Sequence, residues 1–285
     1  MYKRQVVAGG YKVEMIKSYF DSIECDFDVR IVNETEPGGA LGNCRDIVSD
    51  TFACFNGDII SSLDVGKLLA LHKSNGGIGT LGLWEVDDPT RFGIVGVDGE
   101  NKITQFKEKP KPTEVFSNLI NAGSYIFEED IFDYMPSGKH SLERDVFPKL
   151  AEIRQLNGMQ FDGYFIDAGT KKSWINAVSK CIEEARFSTG SALSNSWFAS
   201  KSETYSDKSI NNSMIAREVA VGNSLVKQST ILSDSKINND CKIVRSLIGK
   251  NCEIGNNCNL EDVIVAHNSI IPDGTNLSDC TWPIE

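Results

Sequence analysis

A six-residue repeat runs through the last quarter of the chain and limits what this part can fold into. Each repeat places a small residue two positions before an aliphatic one, and the spacing is six residues except for one step of five. The small residues are Ser229, Ser235, Cys241, Ser246, Cys252 and Cys258, and their partners are Ile231, Ile237, Ile243, Ile248, Ile254 and Leu260. Because six residues form one flat side of a triangular coil, about three repeats complete one turn of a parallel β-helix.

The preceding part alternates short apolar runs with amphipathic segments. We predict strands at 5–8, 29–32, 51–55 and 78–84, and helices at 12–20, 41–48 and 63–73. Strands that alternate with helices indicate an α/β fold with a Rossmann-like, mostly parallel sheet. The later strands predicted at 93–97, 103–107 and 122–127 indicate an inserted β-rich lobe.

A change in composition predicts the domain boundaries. Residues 187–212 are rich in Ser, Thr, Asn and Lys, which is typical of a linker. We therefore predict an α/β domain at 1–186, a linker at 187–212 and the β-helix at 213–285. Met1–Gln5 resemble translated adapter sequence, and we exclude them from the fold.

Charge and cysteine content exclude some classes of protein. The net charge is -11, from 29 basic and 40 acidic residues, which disfavours nucleic-acid binding. It does not exclude nucleotides, because a divalent ion neutralises phosphate locally. The sequence contains no apolar run of about eighteen residues, so we predict no membrane-spanning helix. The eight cysteines include no CxxC pair, so we expect reduced, buried thiols and a cytoplasmic protein.

Two acidic residues follow predicted strands. Asp58 ends the segment Asn56-Gly57-Asp58 after the strand that finishes at Phe55, and Asp167 lies before Gly169. Side chains beyond the carboxyl ends of strands can hold a hard cation, and two carboxylates suit Mg²⁺ bound to phosphates. Asn56-Gly57-Asp58 also fits a simple turn, and Asp167 also fits a helix N-cap.

A lysine between an acid and a proline is a third candidate. Lys109 lies in Glu108-Lys109-Pro110-Lys111-Pro112, where its ammonium could bind a phosphate as a point charge. The same composition is compatible with a solvated surface turn.

Six motifs in order give the chain a family resemblance. They are Asn56-Gly57-Asp58, Arg91 to Val95, Phe106 to Pro110, Asn121 to Tyr125, Ser141 to Pro148 and Gly163 to Thr170. From about Val6 to the C-terminus the chain resembles the sugar-1-phosphate nucleotidyltransferases. It is most similar to the mannose-1-phosphate guanylyltransferases, which also carry a C-terminal left-handed β-helix.

The resemblance implies roles for particular residues. Asp58 and Asp167 would hold a catalytic Mg²⁺, and Lys109 would bind the phosphate of a sugar 1-phosphate. Glu108 would accept hydrogen bonds from sugar hydroxyls, and Glu143 is a weaker candidate for the same role. The implied lining of the sugar pocket is Gly93, Asn121, Ala122 and Gly123, and the implied nucleotide contacts are Gly38, Gly39 and Gly57. Coils of this kind commonly pair between subunits, so we expect a homo-oligomer.

The implied reaction transfers a nucleoside monophosphate from a nucleoside triphosphate to a sugar 1-phosphate and releases pyrophosphate. GTP and mannose 1-phosphate, giving GDP-mannose, fit the layout best. Glucose 1-phosphate with dTTP or UTP remains an alternative, as does a non-catalytic regulatory relative. A hexapeptide acyltransferase that uses His267 is a further alternative.

The start of the chain departs from the family pattern. The family opens with a Gly-rich loop that contains an arginine, followed by a Lys-Pro segment, and both contact the triphosphate. Ala8-Gly9-Gly10 precede Tyr11 rather than Gly-Thr-Arg, which matches a later strand-to-helix junction. We therefore expect a truncated, inactive chain, and detectable nucleotidyl transfer by it would contradict this expectation.

Overall fold

The computed structural model describes residues 4–25, 27–33, 41–138, 140–187, 190–193, 195–199 and 209–283. The chain divides into two compact units, Met1–Phe165 and Ile166–Glu285. Each unit has its own cluster of buried hydrophobic side chains. Within the described ranges, no helix has the length and hydrophobicity that crossing a bilayer requires.

The first unit begins with a parallel crossover. Strand β1 (Arg4–Gly9) leads into helix α1 (Val13–Asp21), and strand β2 (Asp28–Asn33) returns parallel to β1. Val7 of β1 pairs with Ile31 of β2. Gly9 and Gly10 therefore lie at a strand-to-helix junction, as their sequence context predicts.

The rest of the first unit is built around a larger sheet. The strands of this part of the chain are β3 (Phe52–Phe55), β4 (Ile59–Ser61), β5 (Gly79–Glu85), β6 (Gly93–Val97), β7 (Ile103–Glu108), β8 (Leu119–Phe127) and β9 (Leu156–Gln160). Its helices are α2 (Val65–Asn75) and α3 (Phe147–Glu152), with 3-10 turns at Gly42–Cys44, Pro112–Glu114 and Glu129–Tyr134 and a π-helical turn at Leu142–Val146.

Six of these strands form one sheet, in which β4 has no part. The order is β7-β6-β8-β5-β9, and β3 pairs with the far end of β8. Strands β3 and β5 both run antiparallel to β8, and β9 runs parallel to β5. Strands β3, β5 and β9 therefore share one direction, and their carboxyl ends lie at one edge. The antiparallel pair β6–β7 extends the sheet, where the sequence predicts a β-rich lobe.

The helix predicted at 41–48 is wrong. This segment forms only the 3-10 turn Gly42–Cys44 followed by irregular turns. Gly42 and Asn43 are both weak helix formers, so the apolar spacing of Leu41, Ile47 and Val48 does not extend into a regular helix.

The second unit contains one helix and many short strands. Strand β10 (Phe165–Asp167) precedes helix α4 (Lys171–Glu183). The following strands are β11 (Ser191–Leu193), β12 (Ser196–Phe198), β13 (Ile210–Asn211), β14 (Met214–Ile215), β15 (Ala220–Val221), β16 (Leu225–Lys227), β17 (Thr230–Ile231), β18 (Lys236–Ile237), β19 (Lys242–Val244), β20 (Leu247–Ile248), β21 (Glu253–Ile254), β22 (Asn259–Glu261), β23 (Ile264–Val265), β24 (Ile270–Ile271), β25 (Asn276–Ser278) and β26 (Thr281–Trp282).

From β12 onward these strands form a parallel β-helix. The three sheets are β12-β14-β17-β20-β23-β26, β13-β16-β19-β22-β25 and β15-β18-β21-β24, with β11 added antiparallel to β12. Thr230 pairs with Leu247, and Leu247 with Ile264, so these coils repeat every 17 residues. The five-residue step in the sequence is therefore the short side of a coil that has two six-residue sides.

The repeat positions have the predicted environments. All six aliphatic partners are at most 1% exposed, and the small residues are at most 4% exposed. The serine hydroxyls also form hydrogen bonds between coils. Ser229 Oγ accepts the backbone N–H of Ser246 at 3.1 Å, and Ser246 Oγ accepts that of Val263 at 3.0 Å. These corners therefore use the serine oxygen as well as its small size.

The coil begins earlier in the chain than the predicted boundary at 213. Trp197 and Phe198 of β12 pair with Met214 and Ile215 of β14, so part of the predicted linker already belongs to the coil. Residues 200–208 of that segment lie outside the described residues.

Candidate functional site

The turn after β3 packs directly against β8. The backbone N–H of Asn56 donates to the carbonyl of Gly123 at 2.8 Å. Gly123 has a φ of +62°, and a Cβ there would lie 2.7 Å from Asn56 Nδ2. Only glycine therefore fits at 123 without strain. Gly57 and Asp58 are exposed on this turn, at the carboxyl end of β3.

The side chain of Asn121 is engaged within the protein. Its Oδ1 accepts the N–H of Gly123 at 3.2 Å, and its Nδ2 donates to the Tyr125 hydroxyl at 2.9 Å. Asn121 therefore holds the Asn121–Gly123 turn. Ala122, between them, is 1% exposed.

The turn that carries Glu143 packs against strand β7, which ends at Glu108. Glu108, at the end of β7, has a side chain that is 16% exposed. Burial raises the pKa of its carboxyl, and the charge of Glu143 raises it further, while Lys109 and Arg144 act in the opposite direction. Two residues predicted to accept hydrogen bonds from sugar hydroxyls therefore influence each other electrostatically, although 35 positions separate them in the sequence.

Glu143 is held by its own local structure. It lies in the π-helical turn Leu142–Val146, and its Oε2 accepts the Ser141 hydroxyl at 2.6 Å. The N–H of Ser141 donates to Asp145 Oδ2 at 2.8 Å. Ser141 therefore fixes one oxygen of Glu143 and leaves the other for a different donor.

Lys109 lies beside this carboxyl pair. Its Nζ is 3.6 Å from Glu108 Oε1, and its side chain is 61% exposed. Its backbone has a φ of +45°, and its N–H donates to the carbonyl of Phe92 at 2.9 Å. A non-glycine residue in this region is strained, so the backbone holds Lys109 in an orientation it would not adopt freely.

Gly93 keeps the region next to Glu108 open. It pairs with Glu108 across β6 and β7, and a Cβ there would lie 2.9 Å from Glu108 Oε2 and 2.6 Å from Phe106 Cζ. A larger residue would displace the carboxylate. Gly93, Glu108, Lys109 and Glu143 therefore form one cluster, which we call the carboxylate–lysine cluster.

The second unit holds Asp167 in a capped turn. Asp167 Oδ1 accepts the N–H of Gly169 at 2.9 Å, and Thr170 and Ser173 cap the start of α4 reciprocally. The first turn of α4 is attached to the β-helix, because Trp174 Nε1 donates to Thr230 Oγ1 at 3.2 Å and Lys171 Nζ donates to the carbonyl of Asp262. The N-cap is thus Thr170, not Asp167.

The predicted metal ligands fit a hard cation by their chemistry. Asp58 is exposed, and the hydrogen bond from Gly169 uses only one oxygen of Asp167. Carboxylate oxygens are the ligands that Mg²⁺ prefers. Across the described ranges, no three His, Cys, Asp or Glu side chains are grouped as a metal site. The pairing of Asp58 with Asp167 therefore stays a prediction. Gly38 and Gly39 lie outside the described residues.

His267 has a structural partner. Its Nδ1 accepts the N–H of Lys250 at 2.8 Å, the same type of bond that Asp273 makes to Asn256 at another corner. The accepting Nδ1 places the ring proton on Nε2, so neither nitrogen is free to act as a base in this arrangement. The geometry does not support the acyltransferase alternative.

Sequence reasoning missed Tyr125 and Ser141 as parts of this site. Tyr125 ends the motif Asn121 to Tyr125, and Ser141 begins the motif Ser141 to Pro148, but the spacing of the motifs does not reveal a role for either residue. Their contribution is seen in two part-buried hydrogen bonds, from Asn121 to Tyr125 and from Ser141 to Glu143.

Comparison with known proteins identifies the family. Residues 2–184 match the Nucleotidyl transferase family, and residues 196–278 match the GlmU-like, C-terminal hexapeptide family. The chain belongs to the nucleotidyl transferase family.

Several proteins resemble this nucleotidyl transferase chain. The mannose-1-phosphate guanylyltransferase catalytic subunit beta of Dictyostelium discoideum is 35% identical over 181 residues, which cover 61% of this chain and 50% of that protein. The mannose-1-phosphate guanyltransferase of Schizosaccharomyces pombe is 27% identical over 295 residues, covering 93% and 78%. The crystal structure of HddC from Yersinia pseudotuberculosis has a TM-score of 0.52 and 27% identity, covering 61% and 77%. The match therefore spans about half the length of the Dictyostelium protein.

Proposed function

We propose that this chain carries the sugar 1-phosphate site of a sugar-1-phosphate nucleotidyltransferase, with mannose 1-phosphate and GTP as the substrates that give GDP-mannose. The carboxylate–lysine cluster is the observation that supports this most. Two acceptor groups, Glu108 and Glu143, suit the hydroxyls of a sugar, and the exposed ammonium of Lys109 suits its phosphate. The names of several relatives favour mannose and guanosine.

The chemistry follows from the charges of the two substrates. An oxygen of the sugar phosphate attacks the α-phosphorus of the nucleoside triphosphate, the new P–O bond forms, and pyrophosphate leaves with the electron pair. The nucleophile is already an anion, so the protein has no proton to remove. Its residues bring two polyanions together, and Lys109 offsets part of their repulsion.

A divalent ion completes the proposal. Asp58 and Asp167 would hold Mg²⁺, which when bound neutralises phosphate charge in the transition state. We also propose that the protein is cytoplasmic and forms a homo-oligomer through its coil. Glucose 1-phosphate as the substrate is one alternative, which binding measurements would test. A purely regulatory, ligand-binding role is the other, which turnover measurements would test.

Binding of a sugar 1-phosphate to this chain tests the proposal. We expect α-D-mannose 1-phosphate to bind in isothermal titration calorimetry and to bind more tightly than α-D-glucose 1-phosphate. Lys109→Ala should weaken binding roughly tenfold or more, because it removes the cation that faces the phosphate. The melting temperature should stay within about a degree of wild type, since this side chain is mostly exposed.

Lys111→Ala is the matched control. Lys111 is an exposed lysine two residues further along the same segment, outside the carboxylate–lysine cluster. We expect its affinity for the sugar phosphate to be that of the wild type. Equal affinities of the wild type and Lys109→Ala for the sugar phosphate would show that Lys109 has no role in binding it, and would contradict the proposal.

A further inference from the structure

The start of helix α4 is attached to the β-helix at two places. Lys171 Nζ donates to the backbone carbonyl of Asp262, and Trp174 Nε1 donates to Thr230 Oγ1 at 3.2 Å. Thr230 lies on β17, and Asp262 lies two residues before β23. Because β20 separates these strands in their sheet, the strands are two strand spacings, about 10 Å, apart. Two separate attachments restrict the direction of the helix as well as its position.

The helix itself does not account for a lysine at position 171. Lys171 is the first residue of α4, whose first turn contains no acidic residue. A cation at a helix N-terminus is unfavourable, because the backbone N–H groups give this end a partial positive charge. The side chain of Lys171 is nevertheless only 20% exposed, and its Nζ lies 3.6 Å from Asp279 Oδ1. The contacts with the coil therefore account for this lysine.

The corner of the coil that accepts the Lys171 hydrogen bond is itself held in place. The Asp262 carboxylate accepts hydrogen bonds from Arg245 Nε and Nη2, the shortest of them 2.6 Å long. The backbone N–H of Asp262 donates to the carbonyl of Val244, on the preceding coil, at 3.0 Å. Both the side chain and the backbone of Asp262 are thus fixed, so its carbonyl is a rigid acceptor for Lys171.

The first turn of α4 follows directly on the turn that carries Asp167. Asp167 Oδ1 accepts the N–H of Gly169 at 2.9 Å, and the carbonyl of Thr170 accepts the N–H of Trp174 at 2.7 Å. Three residues, restrained by these two bonds, separate Asp167 from Lys171. The position of the Asp167 carboxylate therefore depends on how the first turn of α4 is held.

We propose that Lys171 and Trp174 are positioning residues for Asp167, and that the β-helix is the rigid support against which this carboxylate is held. A carboxylate that is already restrained loses less conformational freedom when it binds a cation, so the cation binds more tightly. The coil then contributes to metal affinity through the backbone of α4. This inference rests on the proposed function, in which Asp167 is a ligand of Mg²⁺.

Lys171→Met tests the proposal because it removes the ammonium and keeps an unbranched side chain. The probe is Mn²⁺, which accepts the same oxygen ligands as Mg²⁺ and whose free form is measured by electron paramagnetic resonance. We expect its dissociation constant to rise about fivefold, less than the roughly tenfold expected for a group that hydrogen-bonds a ligand directly. Lys171→Arg, which restores a donor, should return it towards the wild-type value.

Lys172→Met is the matched control for the metal titration. Lys172 is the exposed neighbour of Lys171 on the same turn of α4. Its substitution removes the same charge from the start of the helix and leaves both attachments to the coil in place. We expect the Mn²⁺ dissociation constant of this variant to equal that of the wild type.

Hydrogen exchange without metal, measured by NMR, separates this inference from the proposed function. The amide of Gly169 should exchange about fivefold faster in Lys171→Met, because the turn opens more often. The amide of Cys252, which donates to Ser235 Oγ inside the coil, should exchange at the wild-type rate. Wild-type protein that binds no Mn²⁺ would end the role of Asp167 as a metal ligand, and the exchange of Gly169 would still decide whether the coil holds this turn.

Trp174→Phe is a second variant in case Lys171→Met does not fold. It keeps an aromatic ring and removes the indole N–H that Thr230 accepts, so Gly169 should again exchange faster and Mn²⁺ should bind more weakly. If the two contacts were purely structural, both variants would have lower melting temperatures but wild-type values of the Gly169 exchange rate and the Mn²⁺ dissociation constant. That result would overturn the proposal.

Discussion

At the scale of single residues, burial and charge decide the behaviour of Glu108 more than its chemical type does. Its carboxyl is largely removed from solvent and is subject to the negative charge of Glu143, and both effects favour the protonated form. A group with these properties destabilises the folded protein when it is ionised. Groups of this kind occur in binding sites, because a bound ligand supplies the hydrogen-bond donors that the ionised carboxyl lacks.

Glu108→Gln should therefore stabilise the ligand-free protein in a way that depends on pH. The folded-state pKa of Glu108 is raised, so its favourable contribution is complete below the ordinary glutamate pKa of 4.5 and is lost as pH rises through the folded value. We expect a higher melting temperature than wild type at about pH 7.5 and no difference near about pH 4.

Glu114→Gln provides a control of opposite sign. The N–H of Lys111 and the ammonium of Lys107 hydrogen-bond the Glu114 carboxylate and lower its pKa. Its substitution should lower the melting temperature at neutral pH. A stabilising effect of Glu108→Gln that is the same at both pH values would show that charge is not its cause.

Residue-scale features are also where sequence reasoning reached its limit. The motifs pointed to Glu108, Lys109 and Glu143, but a sequence does not show that Glu108 and Glu143 influence each other. Asn121 was predicted to line a sugar pocket, yet both ends of its amide are occupied within the protein. Hydrogen bonds between side chains depend on positions of a few tenths of an ångström, which periodicity does not encode.

At the scale of elements, the strands were predicted better than the helices. Gly93–Val97 is a strand over the predicted range, because its alternation and its flanking turn residues agree. The segment Leu41–Val48 has apolar residues at helical spacing but lacks the propensity to continue a helix. The order and direction of strands around β8 needed the structure, since β8 pairs with three strands from different parts of the chain.

The corner hydroxyls of the β-helix give a prediction at this scale. Ser246 Oγ accepts the N–H of Val263 and donates to the carbonyl of Val244, and the residue is fully buried. Ser246→Ala keeps the small size but leaves that N–H without its acceptor, which should cost about 1–3 kcal/mol of unfolding free energy. Urea denaturation measures this cost.

Ser278→Ala is the control, because Ser278 is an exposed residue of the coil. Its effect should stay within about 0.5 kcal/mol of zero. Equal and small effects at both serines would show that the corners require small volume alone.

At the scale of the whole molecule, the cysteines are thiols rather than members of disulfides. Among the described residues, none of the eight cysteines forms a disulfide, and Cys44, Cys241, Cys252 and Cys258 are buried. Burial also raises the pKa of the half-buried Cys54 to about 12, which leaves little reactive thiolate at neutral pH. These properties agree with the reading of the cysteines as packing residues.

Thiol titration with Ellman's reagent should therefore give eight reactive groups in denaturant. The native protein should show few fast-reacting thiols, with Cys44, Cys241, Cys252 and Cys258 protected. A reducing agent should leave the melting temperature unchanged, since the described part of the chain, which includes all eight cysteines, contains no disulfide. Fewer than eight groups in denaturant under fresh, non-oxidising preparation would contradict this picture.

The 17-residue repeat determines which changes in length the coil can tolerate. Removing Ser246–Asp262 would join Arg245 to Val263 and place each later side chain at the equivalent point of the preceding coil. Removing a single hexapeptide would instead move every following residue to the next face of the triangle, so that the five-residue sides of successive coils would no longer lie over one another. Evolution can therefore lengthen or shorten such a solenoid only by whole coils, in increments of one strand spacing, about 4.8 Å.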